Sequence, residues 1–114
     1  MKSVLVPSEY ADPEQPAGSH FGRASWYLFL DPDGRLLDAI PGSQATHHGR
    51  IFKTLEPETM PEAMLVHHVG DHARKIAAHW KVRVIHMGGR ITAAEAARDY
   101  FRNLLHPLEG SGVS

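Results

Sequence analysis

Ala63-Met64-Leu65-Val66-His67, then Val69-Gly70-Asp71-His72-Ala73, then Val82-Arg83-Val84-Ile85-His86: the fold is decided between residues 63 and 86. The first run is almost continuously apolar, the pattern of a strand covered on both faces. Gly70 opens a helix in which Ala73, Ile76, Ala77 and Trp80 fall at i, i+3, i+4 and i+7, one apolar stripe. Val82 to His86 is then the next strand. A strand, a helix and a strand in this order predict a partly parallel sheet with a helix lying across it.

Upstream, Ser3-Val4-Leu5-Val6 is a short apolar run that Pro7 is expected to stop. Residues 8–19 are rich in Pro, Glu, Asp and Gly and read as a loop. Ser25-Trp26-Tyr27-Leu28-Phe29-Leu30 has strand composition, and Asp31-Pro32-Asp33-Gly34 is a turn in which Pro32 presets φ and Gly34 tolerates positive φ. Arg35 to Ile40 returns as a third strand, so residues 25–40 form a hairpin. A short helix is expected from about His48 to Leu55, ended by Pro57 and Pro61.

Downstream, Thr92-Ala93-Ala94-Glu95 is a capping box, and its helix is expected to run to about Leu105, where Pro107 stops it. His106 then belongs to the tail. The expected order is β-β-β-α-β-α-β-α: an α/β fold, a mixed five-stranded sheet flanked by helices. One domain over residues 1–107 and a flexible tail over 108–114 account for the whole chain. No internal repeat or low-complexity tract interrupts it.

Composition narrows the function. The 114 residues carry 12 basic and 13 acidic side chains, a net charge of −1, so no electrostatic footprint for nucleic acid or an anionic membrane is present. No apolar run nears the ~20 residues of a membrane span, and the start is too short an apolar stretch for a signal peptide, so the expected location is cytoplasmic. The chain has no cysteine, which excludes disulfides, thiolate ligands and a cysteine nucleophile. It has nine histidines, dispersed internally. Any metal chemistry here must rest on imidazole.

Three segments carry a family resemblance. Ser19-His20-Phe21-Gly22-Arg23-Ala24 resembles an "(H)FGRA" box set between an N-terminal strand and an aromatic strand with its Asp33-Gly34 turn. Val69-Gly70-Asp71-His72-Ala73 is similar to an "xG-x-x-A" helix start after a buried strand, and Val82-Arg83-Val84 stands where a "GI-x-V" strand is expected, ahead of a helix with the aromatic Tyr100. In order and spacing, over about residues 2–105, these resemble the dinitrogenase iron–molybdenum cofactor biosynthesis family, of NifX/NifB type. The resemblance implies a ribonuclease H-like fold. It also implies binding or transfer of the iron–molybdenum cofactor or an iron–sulfur precursor, with cluster donor and acceptor proteins as partners. Two departures stand out. Lys81 occupies a helix-end position usually held by glycine, and Thr46-His47-His48-Gly49 is histidine-rich where relatives have small residues.

The candidate ligands follow. His20 is marked by the resemblance as a cluster ligand, with Phe21 and Gly22 beside it; the alternative for His20 is a hydrogen-bonded loop histidine. His67 and His68 end a buried strand, where open α/β sheets bind ligands, but adjacent strand residues point to opposite faces. His86 ends the next strand, and His72 lies in the first turn of the intervening helix; these two could join His67 or His68 in one pocket. His47 and His48 could swing in from their loop. Gly70 supplies a helix N-terminus suited to an anion. His79, near a helix C-terminus, is explained by the dipole. Met64 reads as core filling.

No residues are assigned to catalysis. A magnesium nuclease of this fold would need clustered carboxylates, and the first strand contains no acid. No P-loop, Gly-x-Ser-x-Gly or His-Glu-x-x-His motif occurs. The expected function is non-enzymatic binding and transfer of an iron–molybdenum or iron–sulfur cluster. The alternative is a histidine-based binder or sensor of mononuclear zinc, nickel or copper.

Overall fold

The computed structural model describes residues 2–18, 24–42, 60–67, 71–87, 91–102 and 106–107, with the backbone alone at 72, 73, 76, 106 and 107. Its elements are β1 (Val4–Ser8), β2 (Trp26–Leu30), β3 (Leu36–Pro41), β4 (Ala63–Val66), α1 (Asp71–His79), β5 (Arg83–His86), α2 (Ala93–Phe101) and β6 (His106–Pro107). They build one sheet in the order β3-β2-β1-β4-β5-β6. β1, β4 and β5 run parallel, and β2, β3 and β6 join antiparallel. The five expected strands form a mixed sheet as read. The expected helix at about 48–55 and the tail 108–114 lie outside the described residues.

Alternation along the strands sorts the core into two layers. Leu5, Phe29, Met64, Val66 and Val84 pack on one face with Ala77 of α1, and Val82 and the partly buried Trp80 join them. Val4, Leu28, Leu65 and Ile85 pack on the other face with Ala93, Ala96, Ala97 and Tyr100 of α2. Both faces are therefore covered, and every residue of β4 is fully buried. That is why its sequence is an unbroken apolar run rather than an alternation.

The hairpin forms as expected. Gly34 donates to the Asp31 carbonyl at 2.9 Å, and the Asp31 carboxylate accepts from the amides of Asp33 and Arg35, each at 2.9 Å. Gly34 has φ of 83°, and a Cβ there would sit 2.8 Å from the Ala94 carbonyl oxygen. Glycine is required twice over: by the left-handed backbone and by the close approach of α2 to the turn.

Three expectations are corrected. Pro7 does not stop the first strand but lies within it, opposite Tyr27. The β1–β4 pairing covers only Val4 and Leu5, so at Pro7 no parallel ladder needs a second donor. The capped helix ends at Phe101, about one turn before Leu105, with Arg102 as its C-cap. His106 is not tail: with Pro107 it forms β6, which covers the outer edge of β5. Proline is tolerated there because β6 is an edge strand.

Candidate functional site

The strand directions gather the ends of all six strands at one end of the sheet. β1, β4 and β5 finish there at Ser8, Val66 and His86. β2 begins there, since Trp26 pairs with Ser8, and β3 finishes there, since Pro41 pairs with Trp26. β6 begins there, since His106 pairs with His86. This is the carboxyl end of the parallel strands, the place where open α/β sheets bind ligands.

The candidate histidines among the described residues belong to this end. His67 directly follows β4, His86 closes β5, and His72 is in the first turn of α1. His20, Phe21, Gly22, His47, His48, His68 and Gly70 lie outside the described residues, but their described neighbours are anchored here. Gly18 donates to the Pro7 carbonyl at 2.8 Å, just before the segment carrying His20. Gly42 donates to the Ser25 carbonyl at 2.7 Å, just before the segment carrying His47 and His48. A Cβ on Gly42 would overlap the Ala24 carbonyl, so the exit of β3 and the entry to β2 are pressed together. Ser25 Oγ also donates to Glu9 Oε1 at 2.9 Å, tying the β1 exit to the same point. Among the described histidines, His79 stands at the far end, as the last residue of α1.

His67 and His86 stand on neighbouring strands but not on the same face. Ile85 and Met87 are buried on the α2 side, which puts the exposed His86 on the α1 side. Val66 is on the α1 side, so alternation carries the half-buried His67 towards α2. A ligand touching both would straddle the rim. Among the described residues, no group of three or more His, Cys, Asp or Glu side chains is placed to hold a metal ion.

Of the two described helices, α2 has its N-terminus closed. At α2 the amides of Ala93 and Ala94 donate to the carbonyls of Gln15 (3.3 Å) and Pro13 (2.9 Å), and that of Glu95 donates to Thr92 Oγ1 at 3.1 Å. Residues 13–17 thus strap this end shut, aided by a bond from Ala17 N–H to the Ile91 carbonyl at 2.9 Å. Glu95 returns its carboxylate to the Thr92 amide at 3.1 Å, and that hydrogen bond holds its carboxyl below the usual range. At α1 the first described residue is Asp71, whose carboxylate meets Arg74 at 3.7 Å, an exposed pair of small energetic weight.

The opposite end of the sheet holds a polar cluster of another kind. Tyr100 donates to Glu62 Oε2 at 2.7 Å and accepts from Arg83 Nη1 at 3.2 Å. Burial, then the Glu62 carboxylate, push its hydroxyl up to about 12. With each group partnered, this cluster ties α2 to β4 and β5.

His106 is the residue at this end that the sequence reading had put in the tail. The only signal available was Pro107, read as a helix stop, and a two-residue strand has no periodicity to detect.

The sequence model of the family described as "Dinitrogenase iron-molybdenum cofactor" matches residues 2–103. No curated protein matches the chain. Among solved structures, the apo form of the orange protein from Desulfovibrio gigas superposes with a TM-score of 0.77 at 15% identity, covering 94% of this chain and 92% of that one. A candidate NifB protein from Thermotoga gives 0.72 at 19% identity, covering 95% and 94%. A candidate dinitrogenase from Methanocaldococcus jannaschii gives 0.65 at 10% identity, covering 93% of each. At these identities the likeness is one of fold.

Proposed function

The chain belongs to the dinitrogenase iron–molybdenum cofactor family, and from that premise we propose that it binds and transfers an iron–molybdenum or iron–sulfur cluster without catalysing a reaction. The observation that carries this reading is the convergence of strand ends: His67 after β4, His86 at the end of β5, His72 in the first turn of α1 and His106 at the start of β6 all stand at the carboxyl end of the parallel strands. The cluster is cargo rather than a resident cofactor.

The donor set suits such cargo. Neutral imidazole is a borderline ligand that accepts iron, and the chain has no thiolate to hold a cluster irreversibly. In this reading His20 with Phe21 and Gly22, His47 and His48, His67 and His68, and His72 and His86 surround the cluster, and Gly70 offers amides at a helix start. Closure of the α2 N-terminus by residues 13–17 leaves α1 as the helix whose dipole can face an anionic cluster. Donor and acceptor proteins of cofactor assembly are the partners this implies, in the cytoplasm. The strand order β3-β2-β1-β4-β5 supports the ribonuclease H-like assignment. No helix among the described residues is long and apolar enough to cross a membrane.

Anaerobic titration of the purified protein with a reconstituted iron–sulfur cluster or extracted iron–molybdenum cofactor, followed by visible and EPR spectra, tests the proposal. Uptake near one cluster per chain is expected. Unchanged spectra with both clusters would overturn it.

A further inference from the structure

The strand order reverses between β1 and β4, and these two strands pair only through Val4–Ala63 and Leu5–Met64. A crevice at such a reversal is where open α/β sheets receive ligands. Here the chain itself occupies part of it. Ser8 pairs with Trp26 on one edge and with Ala17 on the other, the edge that faces β4. Gly18 donates to the Pro7 carbonyl at 2.8 Å. From there the same strap reaches α2: Ala17 donates to the Ile91 carbonyl at 2.9 Å, Pro16 bridges Thr92, and the Gln15 and Pro13 carbonyls take the Ala93 and Ala94 amides. Ala17 and Ile91 both pack against the core layer under α2, so the strap lies on the α2 side of the crevice.

We infer that the cluster sits on the α1 face of the rim, with His86 as an imidazole that meets it, and that the strap of residues 13–18 walls off the α2 face. His86 is exposed at the end of β5, between the α2-side residues Ile85 and Met87, so it belongs to the α1 face. His67 is half-buried and carried towards the strapped side. The strap region also carries exposed Asp12 and Glu14, whose negative charges repel an anionic cluster. The inference rests on the proposed function and narrows its histidine set: His67 makes no bond to the cargo, and the strap stays closed when the protein is loaded.

A reconstituted [4Fe–4S] cluster is the probe, titrated anaerobically into the full chain, His86→Ala and His67→Ala. Loss of one ligand from a linked set should weaken uptake by at least roughly tenfold in His86→Ala. The same variant should lower the nitrogen hyperfine coupling of the reduced cluster in pulsed EPR. His67→Ala should change neither. Cluster-free melts, with His86→Gln as a milder second variant, separate a lost ligand from lost folding. Hydrogen exchange reads the strap directly: the amides of Ala17, Gly18, Ala93 and Ala94 should exchange equally slowly in the empty and the loaded protein.

Undiminished uptake by His86→Ala, or a loss in His67→Ala as large as in His86→Ala, would overturn the assignment of the face. Faster exchange of the strap amides on loading would overturn it too, because the cluster would then be entering from the α2 side. Any of these results with a wild-type protein that still takes up the cluster leaves the functional proposal standing and removes this inference alone. A wild-type protein that takes up no cluster sinks the functional proposal, and this inference with it.

Discussion

Val82 donates its backbone N–H to the Ala77 carbonyl at 2.8 Å, wrapping the end of α1 around Lys81, which holds φ at 61°. The Lys81 amide donates to the Ala78 carbonyl at 3.0 Å, completing a Schellman closure, and Val82 and Ala77 meet in the same apolar layer. A lysine stands where the backbone calls for glycine. Lys81→Gly should therefore stabilise the protein by about 1 kcal/mol, read as a higher urea midpoint at unchanged m. An unchanged or lower midpoint would mean that the Lys81 side chain compensates for its backbone.

Gly34 is the converse case. Gly34→Ala should cost roughly 2 kcal/mol, because φ is positive and the new Cβ would press on the Ala94 carbonyl. Chemical denaturation measures it, and a loss below about 0.5 kcal/mol would show that α2 can shift away from the turn.

Thr92→Ala removes the cap of α2 and should cost about 1 kcal/mol. Glu95 has a lowered folded pKa, so its contribution is present above about 4.5 and is lost as the pH falls through its folded value. Glu95→Gln should keep most of the cap at neutral pH while flattening that acid limb. An acid limb identical to wild type would take Glu95 out of the balance.

Alkaline pH probes the far end of the sheet. The Tyr100 hydroxyl is raised from 10.0 to about 12 when folded. Its contribution is thus complete below pH 10 and disappears as the pH climbs through about 12. Tyr27, also raised by burial, adds to the same fall. Tyr100→Phe should make the decline shallower without abolishing it. Denaturant midpoints between pH 9 and 12 provide the measurement, and a slope equal to wild type would mean the Glu62–Tyr100 bond does not hold α2.

His20→Ala should weaken cluster uptake while leaving the melting temperature unchanged, the outcome the sequence reading of His20 as a loop ligand requires. Paired melts and anaerobic titrations check both halves. A lower melting temperature with unaltered uptake would make His20 a structural residue.

Local signals in the sequence determined much of this protein. The apolar run of β4, the i, i+3, i+4, i+7 stripe of α1, the Asp31–Gly34 turn and the Thr92–Glu95 capping box each act within a few residues. Their physics is therefore complete in the sequence, and each element formed where it was expected. The family boxes carried a resemblance over about residues 2–105 in the same way, and the family model matches residues 2–103. Only the tertiary structure decided what depends on residues far apart in the chain. It kept Pro7 inside β1, because the ladder to β4 stops at Leu5. It closed the α2 N-terminus with carbonyls from Pro13 and Gln15, about eighty residues upstream. It brought His106 from the supposed tail to a register opposite His86. Long-range pairing is set by which edges and donors remain open once the sheet has assembled, and no window of neighbouring residues contains that information.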